Sequence, residues 1–130
     1  MFAGWPMIPR SPTMGSIALA LISAGLAFAV WARFVIGRNW SGTVTLKQDH
    51  ELVRSGPYAI VRHPIYTGFL FALLGTAVAR GTIGAFVGVA IAVLALRLKS
   101  LTEESLMLHQ FGSQYAAYKR EVKALIPFVW

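Results

Sequence analysis

The chain has 130 residues, 56% of them hydrophobic and only 13% charged, with a formal net charge of +7. That length predicts one domain, and the clustering of the apolar residues makes lipid the natural solvent. The absence of cysteine excludes disulfides, thiolate metal sites and a thiol nucleophile. No basic run is interleaved with aromatics, so the positive balance reads as flanks of membrane spans and not as a nucleic-acid surface.

After a poorly basic lead, residues 15–37 are apolar apart from Ser16, Ser23 and Arg33. A helix here spans ~35 Å, enough for a hydrocarbon core of ~30 Å, and Arg33 near its end can snorkel to the headgroups. The stretch exceeds the apolar region of a signal peptide and is read as a retained span. Residues 38–64 are polar, carrying Arg38, Lys47, Asp49, Glu51, Arg54 and Arg62. Gly42, Gly56, Pro57 and Pro64 discourage continuous helix there, and residues 43–46 read as a short extended piece.

Residues 65–98 form a second apolar block. One straight helix would measure ~51 Å and strand Arg80 inside the bilayer, so a break at residues 79–82 is predicted. Gly81 makes the turn, and helices over about 65–80 and 82–98 form an antiparallel hairpin. Gly75, Gly84 and Gly88 are small residues that let backbones approach closely. Beyond Leu98 the chain turns polar with no helix breaker until Gly112, which predicts that the last span continues into water. Residues 114–126 predict an amphipathic helix, with Tyr115, Tyr118, Val122 and Leu125 on one face and Pro127 ending it. The two tyrosines read as packing residues against the polar loop or headgroup boundary.

The expected fold is therefore all-α: a polytopic membrane protein with about three transmembrane helices, including the hairpin, and a cytoplasmic C-terminal amphipathic helix. Residues 1–130 make a single domain, divided into a first span (15–37), a polar loop (38–64), the hairpin (65–98) and a tail (99–130). Nine of the 12 Lys and Arg lie in the loop or in the tail after residue 96, which predicts that both face the cytoplasm.

His50, Tyr58, His63 and Tyr66 cluster at the mouth of the hairpin. Two histidines separated by a flexible loop are weak support for a metal site, and no metal is assigned. Pro64 suits the first position of a helix while His63 stays extended, leaving free N–H groups and a partial positive charge that suit a carboxylate. Gly56, Pro57 and Tyr58 make a turn that aims the tyrosine back at this mouth. Lys99 and Glu103 share a helix face, whereas the adjacent Glu103 and Glu104 do not, so no catalytic dyad is expected.

The segments "DHELVRSGPYAIVRHPIYTGFLFALLG" and "RLKSLTEESLMLHQFGSQYAAYKREVKALIP" resemble the isoprenylcysteine carboxyl methyltransferase family, a relative of the phospholipid methyltransferases. The resemblance covers residues 50–127 and implies a membrane methyltransferase that uses S-adenosylmethionine. Carried over by position, it makes His50, Glu51, Leu52, Val53, Tyr58, His63, Pro64, Ile65, Tyr66 and Glu103 cofactor contacts. Where family members place a substrate-binding arginine, four residues before the acid, this chain has Lys99, with Arg97 two residues earlier. Lysine keeps the charge but loses the planar two-pronged grip on a carboxylate.

Methyl transfer to a carboxylate needs alignment and water exclusion and no general base, so no catalytic residue is assigned. Tyr58 and Tyr66 suit the cofactor's ring or sulfonium, and Lys99, Arg97 or Arg62 would anchor the acceptor's negative charge. The implied acceptor is lipophilic or lipid-linked, and the implied setting is a bacterial inner membrane with the site facing the cytoplasm. A second copy is expected to complete the lipid-facing tunnel, making a homodimer. Methylation of an amine or phospholipid headgroup, and a non-catalytic membrane subunit of the same fold, stand as alternatives.

Overall fold

The structure, a computed structural model, describes residues 2–37 and 52–130. Its helices are α1 (Pro12–Ile36), α2 (Pro64–Arg80), α3 (Ile83–Phe111) and α4 (Ser113–Glu121). Among the described residues, β pairing is confined to two isolated bridges. The all-helical class agrees with the sequence. Helices α1 and α3 are long and apolar enough to cross a membrane, while α2 is apolar but shorter, at 17 residues. His50 and Glu51, and the extended piece expected at 43–46, lie outside the described residues.

Helix α1 starts a turn earlier than its apolar run because capping chemistry sets the boundary. Ser11 is extended, its Oγ accepts the Met14 N–H at 3.1 Å, and Pro12 opens the helix. The hairpin forms as its sequence predicts. Gly81 ends α2 in the left-handed region at φ +65°, and the Thr82 side chain caps α3. The N-terminal lead folds over this tip: Met7 N–H donates to Gly81 O at 2.6 Å, and Ile83 N–H donates to Trp5 O at 2.9 Å.

Helix α2 packs mainly on α1, antiparallel to it, through small residues. A methyl on Gly68 would stand 2.8 Å from the backbone N and Cβ of Ala29, and one on Gly25 2.8 Å from Ala72 N. Ala18, Ala29 and Ala32 are buried along the same seam. Gly75 belongs to this interface, as its sequence predicts, and Gly84 meets Ala3 of the lead. Gly88 corrects the expectation, because nothing lies within 4 Å of the position its Cβ would occupy. Helix α3 leans little on the rest: Val87, Ile91, Leu94 and Leu98 are each more than half exposed.

As expected, α3 runs on past its apolar part until Gly112 breaks it. The tail departs from prediction. Helix α4 stops at Glu121, and the chain beyond runs beside residues 61–63 instead of continuing to residue 126. Arg62 N–H donates to Lys123 O at 2.8 Å and His63 N–H to Ala124 O at 3.0 Å. The cause is local. A residue before proline avoids helix, so the backbone leading into Pro64 needs outside partners, and the tail supplies carbonyls. Tyr115 and Tyr118 are buried as packing residues, and the Tyr118 hydroxyl donates to Tyr58 O at 2.5 Å.

Candidate functional site

The N-terminal end of α2 and the polar stretch of α3 meet at one lip of the helix pair. Pro64 opens α2 with His63 at its cap, φ −126° and ψ 64°. The turn at Gly56–Ala59 packs against Trp31 and Val35 of α1 and buries Tyr58. Across from them, α3 presents its two acids on different faces, as adjacent helical positions must.

Glu103 faces the first group. It accepts a hydrogen bond from the Tyr66 hydroxyl, and its Oε2 lies 3.8 Å from His63 Nδ1. The His63 and Tyr66 rings stack nearly parallel with centroids 5.7 Å apart, and Lys99 Nζ stands 5.4 Å from the Tyr66 centroid. The Glu103 side chain is 28% exposed, so this group opens outward.

Glu104 faces the second group and is buried. Its Oε1 lies 2.6 Å from Arg62 NH1, 2.9 Å from His63 Nε2 and 3.6 Å from Arg97 NH1. Lys119 of α4 stands 3.6 Å from Oε2. Four basic side chains thus converge on one carboxylate, and His63 touches both acids. Arg62 Nε and Glu104 Oε2 are buried without a hydrogen-bond partner. Arg97 also bonds Ser100 Oγ at 3.2 Å and lies over the Trp130 ring at 5.4 Å.

Burial, more than any neighbouring charge, pushes the Tyr58 phenol above its ordinary range. Glu103 adds to the shift and Arg33 opposes it. Burial likewise raises Tyr115 and Tyr118. These hydroxyls are therefore neutral at physiological pH.

The structure brings together Tyr58, His63, Pro64, Ile65, Tyr66 and Glu103 of the sequence-derived set, with Leu52 and Val53 half-buried in the segment leading to the turn. It separates the three basic candidates. Lys99 lies with Glu103, whereas Arg97 and Arg62 lie with Glu104, and the Arg62 side chain is only 6% exposed. Arg62 is thus a buried ion-pair partner, its charge offset by Glu104, and not an open anion site. Glu104 itself is 1% exposed, so the two neighbouring acids differ sharply in burial. Its role was present in the spacing: Arg97, Ser100 and Glu104 fall on one helical stripe, three, four and seven residues apart. Lys119 and Trp130 carry no such signal, because only the fold brings them here.

S-adenosylmethionine carries an ammonium, a carboxylate, a sulfonium and an adenine ring. The open group offers a carboxylate in Glu103, first-turn N–H groups of α2, and the stacked His63 and Tyr66 rings, so its donors fit such a molecule. Among the described residues, no three His, Asp or Glu side chains are arranged to hold a metal ion.

A model of the isoprenylcysteine carboxyl methyltransferase (ICMT) family matches residues 17–110. Protein-S-isoprenylcysteine O-methyltransferase of Mus musculus is 30% identical over 130 residues, an alignment covering 96% of this chain and 45% of the mouse protein. The protein of the same name from Schizosaccharomyces pombe is 34% identical over 118 residues, covering 86% of this chain and 49% of its own. The solved structure of a eukaryotic intramembrane Ras methyltransferase, ICMT, matches with a TM-score of 0.81 at 29% identity, over 90% of this chain and 43% of that one. The chain spans about half the length of these relatives. With the family match extending over most of its residues, the chain belongs to the isoprenylcysteine carboxyl methyltransferase family.

Proposed function

We propose that this chain transfers a methyl group from S-adenosylmethionine to the carboxylate of a lipophilic, lipid-linked acceptor, in the manner of its isoprenylcysteine-methylating relatives. The observation that carries the reading is the junction of two segments distant in sequence, made by Tyr66 with Glu103 and by His63 with both acids. Helices α1, α2 and α3 are the three spans. At 17 residues α2 reaches ~26 Å, which requires slight thinning of the lipid around it. Residues 1–130 act as one domain, with the loop at 38–64 holding the cofactor and the tail in the cytoplasm, at the inner membrane of a bacterium. The broad apolar face of α3 is where a second copy would close the acceptor channel.

When bound, the cofactor supplies an electrophilic methyl on a sulfonium. Glu103 would hold the cofactor's ammonium, and Tyr66 holds that carboxylate in place. Pro64, Ile65 and Tyr66 of the first turn of α2 and the preceding Leu52, Val53 and Tyr58 would line the cofactor, and the family resemblance adds His50 and Glu51. His63 is braced from behind by Glu104, so its ring is set before any ligand arrives. Lys99 is an exposed cation on this side and anchors the acceptor carboxylate. Arg97 contributes from behind, while Arg62 supports the site through Glu104. The acceptor enters ionised, so the chain has only to align it and exclude water.

Titration with S-adenosylhomocysteine, then transfer of a labelled methyl into a membrane extract, tests the reading. Saturable binding and base-labile label are the expected results. Absence of both points to a non-catalytic subunit. Glu103 is open enough to take a proton, which an amine acceptor would require. Base-stable label would therefore favour N-methylation.

A further inference from the structure

Residues 126–130 form an apolar turn that the proposed reaction does not use. Ile126, Phe128, Val129 and Trp130 are exposed, Phe128 to 89% and Val129 to 71%. This is not a loose end. Leu125 and Ile126 N–H both donate to Trp130 O, at 2.8 and 2.9 Å, and Val129 and Trp130 N–H both donate to Ile126 O, at 3.1 and 3.0 Å. Thr67 of α2 donates to Leu125 O at 2.7 Å, and Arg97 of α3 lies over the Trp130 ring. The turn is thus closed on itself and fastened to both arms of the hairpin.

Phe128 sits at φ +64°, a backbone region that bulky residues rarely enter. That conformation directs an aromatic side chain away from the protein. A segment with the N–H groups of Ile126, Val129 and Trp130 paired internally and its apolar side chains outward is suited to the boundary of a bilayer, where the remaining carbonyls still meet headgroups and water. Its attachments fix the level of the turn: Thr67 is in the first turn of α2, and Arg97 lies at the end of the apolar part of α3. That level is the lip of the bilayer, where Trp and Phe favour the headgroup boundary and the nearby exposed Lys123 favours anionic lipid.

We propose that residues 126–130 are a wedge that inserts into the headgroup boundary of the bilayer and sets the height of the site above the lipid. The inference does not depend on the reaction. Because the chain has no cysteine, Phe128→Cys, Val129→Cys and Gln114→Cys each create a single labelling position. The end of α3 at Phe111 lies ~20 Å beyond its apolar part, and the exposed Gln114, in the first turn of α4 just after it, serves as the aqueous control.

Each variant is labelled with bimane and reconstituted into phosphatidylcholine–phosphatidylglycerol vesicles. Quenching by aqueous iodide is then compared with quenching by lipids carrying a nitroxide near the headgroup. Labels at 128 and 129 are expected to show strong lipid quenching and several-fold weaker iodide quenching than the label at 114. Phe128→Asp in the Val129→Cys background should reverse that pattern. Iodide quenching at 128 and 129 equal to that at 114 overturns the proposal. Shielding from both quenchers overturns it too, since it would mean that a protein surface covers the turn.

Discussion

Glu103 and Glu104 are neighbours in the chain that serve opposite purposes, because successive helical residues point about 100° apart. Glu104 is a buried charge satisfied by Arg62, His63, Arg97 and Lys119. Its removal leaves the buried Arg62 guanidinium without its counter-charge. Glu104→Ala should therefore lower stability by about 3–5 kcal/mol, measured by unfolding in detergent. Glu103→Ala should leave stability within about 1 kcal/mol of the parent while weakening S-adenosylhomocysteine at least tenfold, the loss of a charge-assisted hydrogen bond. Equal loss of stability in both variants would refute this division. Lys99→Ala should raise the acceptor KM and leave the affinity for S-adenosylhomocysteine unchanged. A change confined to cofactor affinity would put Lys99 on the wrong side of the site.

Between elements, the α1–α2 seam depends on backbones in contact. At Gly68 a methyl would press on the Ala29 backbone, which cannot yield as a flexible side chain does. Gly68→Ala is expected to cost about 1–3 kcal/mol and to disturb the nearby mouth of the site. Gly88→Ala, in open space on α3, should cost nothing measurable in the same assay. A comparable loss from both would mean that the apolar face of α3 is closely packed in the membrane. Of the two small residues on α3 that stood out in the sequence, Gly84 meets the backbone of Ala3 as expected, and only Gly88 faces open space. Gly25 and Gly68 are conspicuous only once α1 and α2 are known to run side by side.

For the molecule as a whole, the site is assembled from the turn before α2, the polar part of α3, α4 and the extended tail. Buried phenols report on that assembly. Tyr58, Tyr115 and Tyr118 are held above their ordinary value of 10.0 by burial, so the folded chain keeps protons that the unfolded chain releases. Their contribution is intact below pH 10.0 and is lost progressively as pH rises above it, since the unfolded state then binds fewer protons. Alkaline titration should show melting temperature falling from there upward, with their phenolate absorbance appearing together with unfolding. Early ionisation of these phenols in the folded protein would contradict their burial.

Hydropathy, length and punctuation by themselves determined that the chain is helical, where the hairpin turns and where α3 ends. Those features depend on local chemistry: apolar runs, Pro64 at a helix start, Gly81 and Gly112 at helix ends. The motif spacing also located the residues around His63, Tyr66 and Glu103. Tertiary structure alone decided which acid is buried, which basic residues keep an open charge and where the tail goes. Each of those outcomes depends on a partner tens of residues away, and a buried charge or unpaired backbone group takes whichever partner the fold delivers.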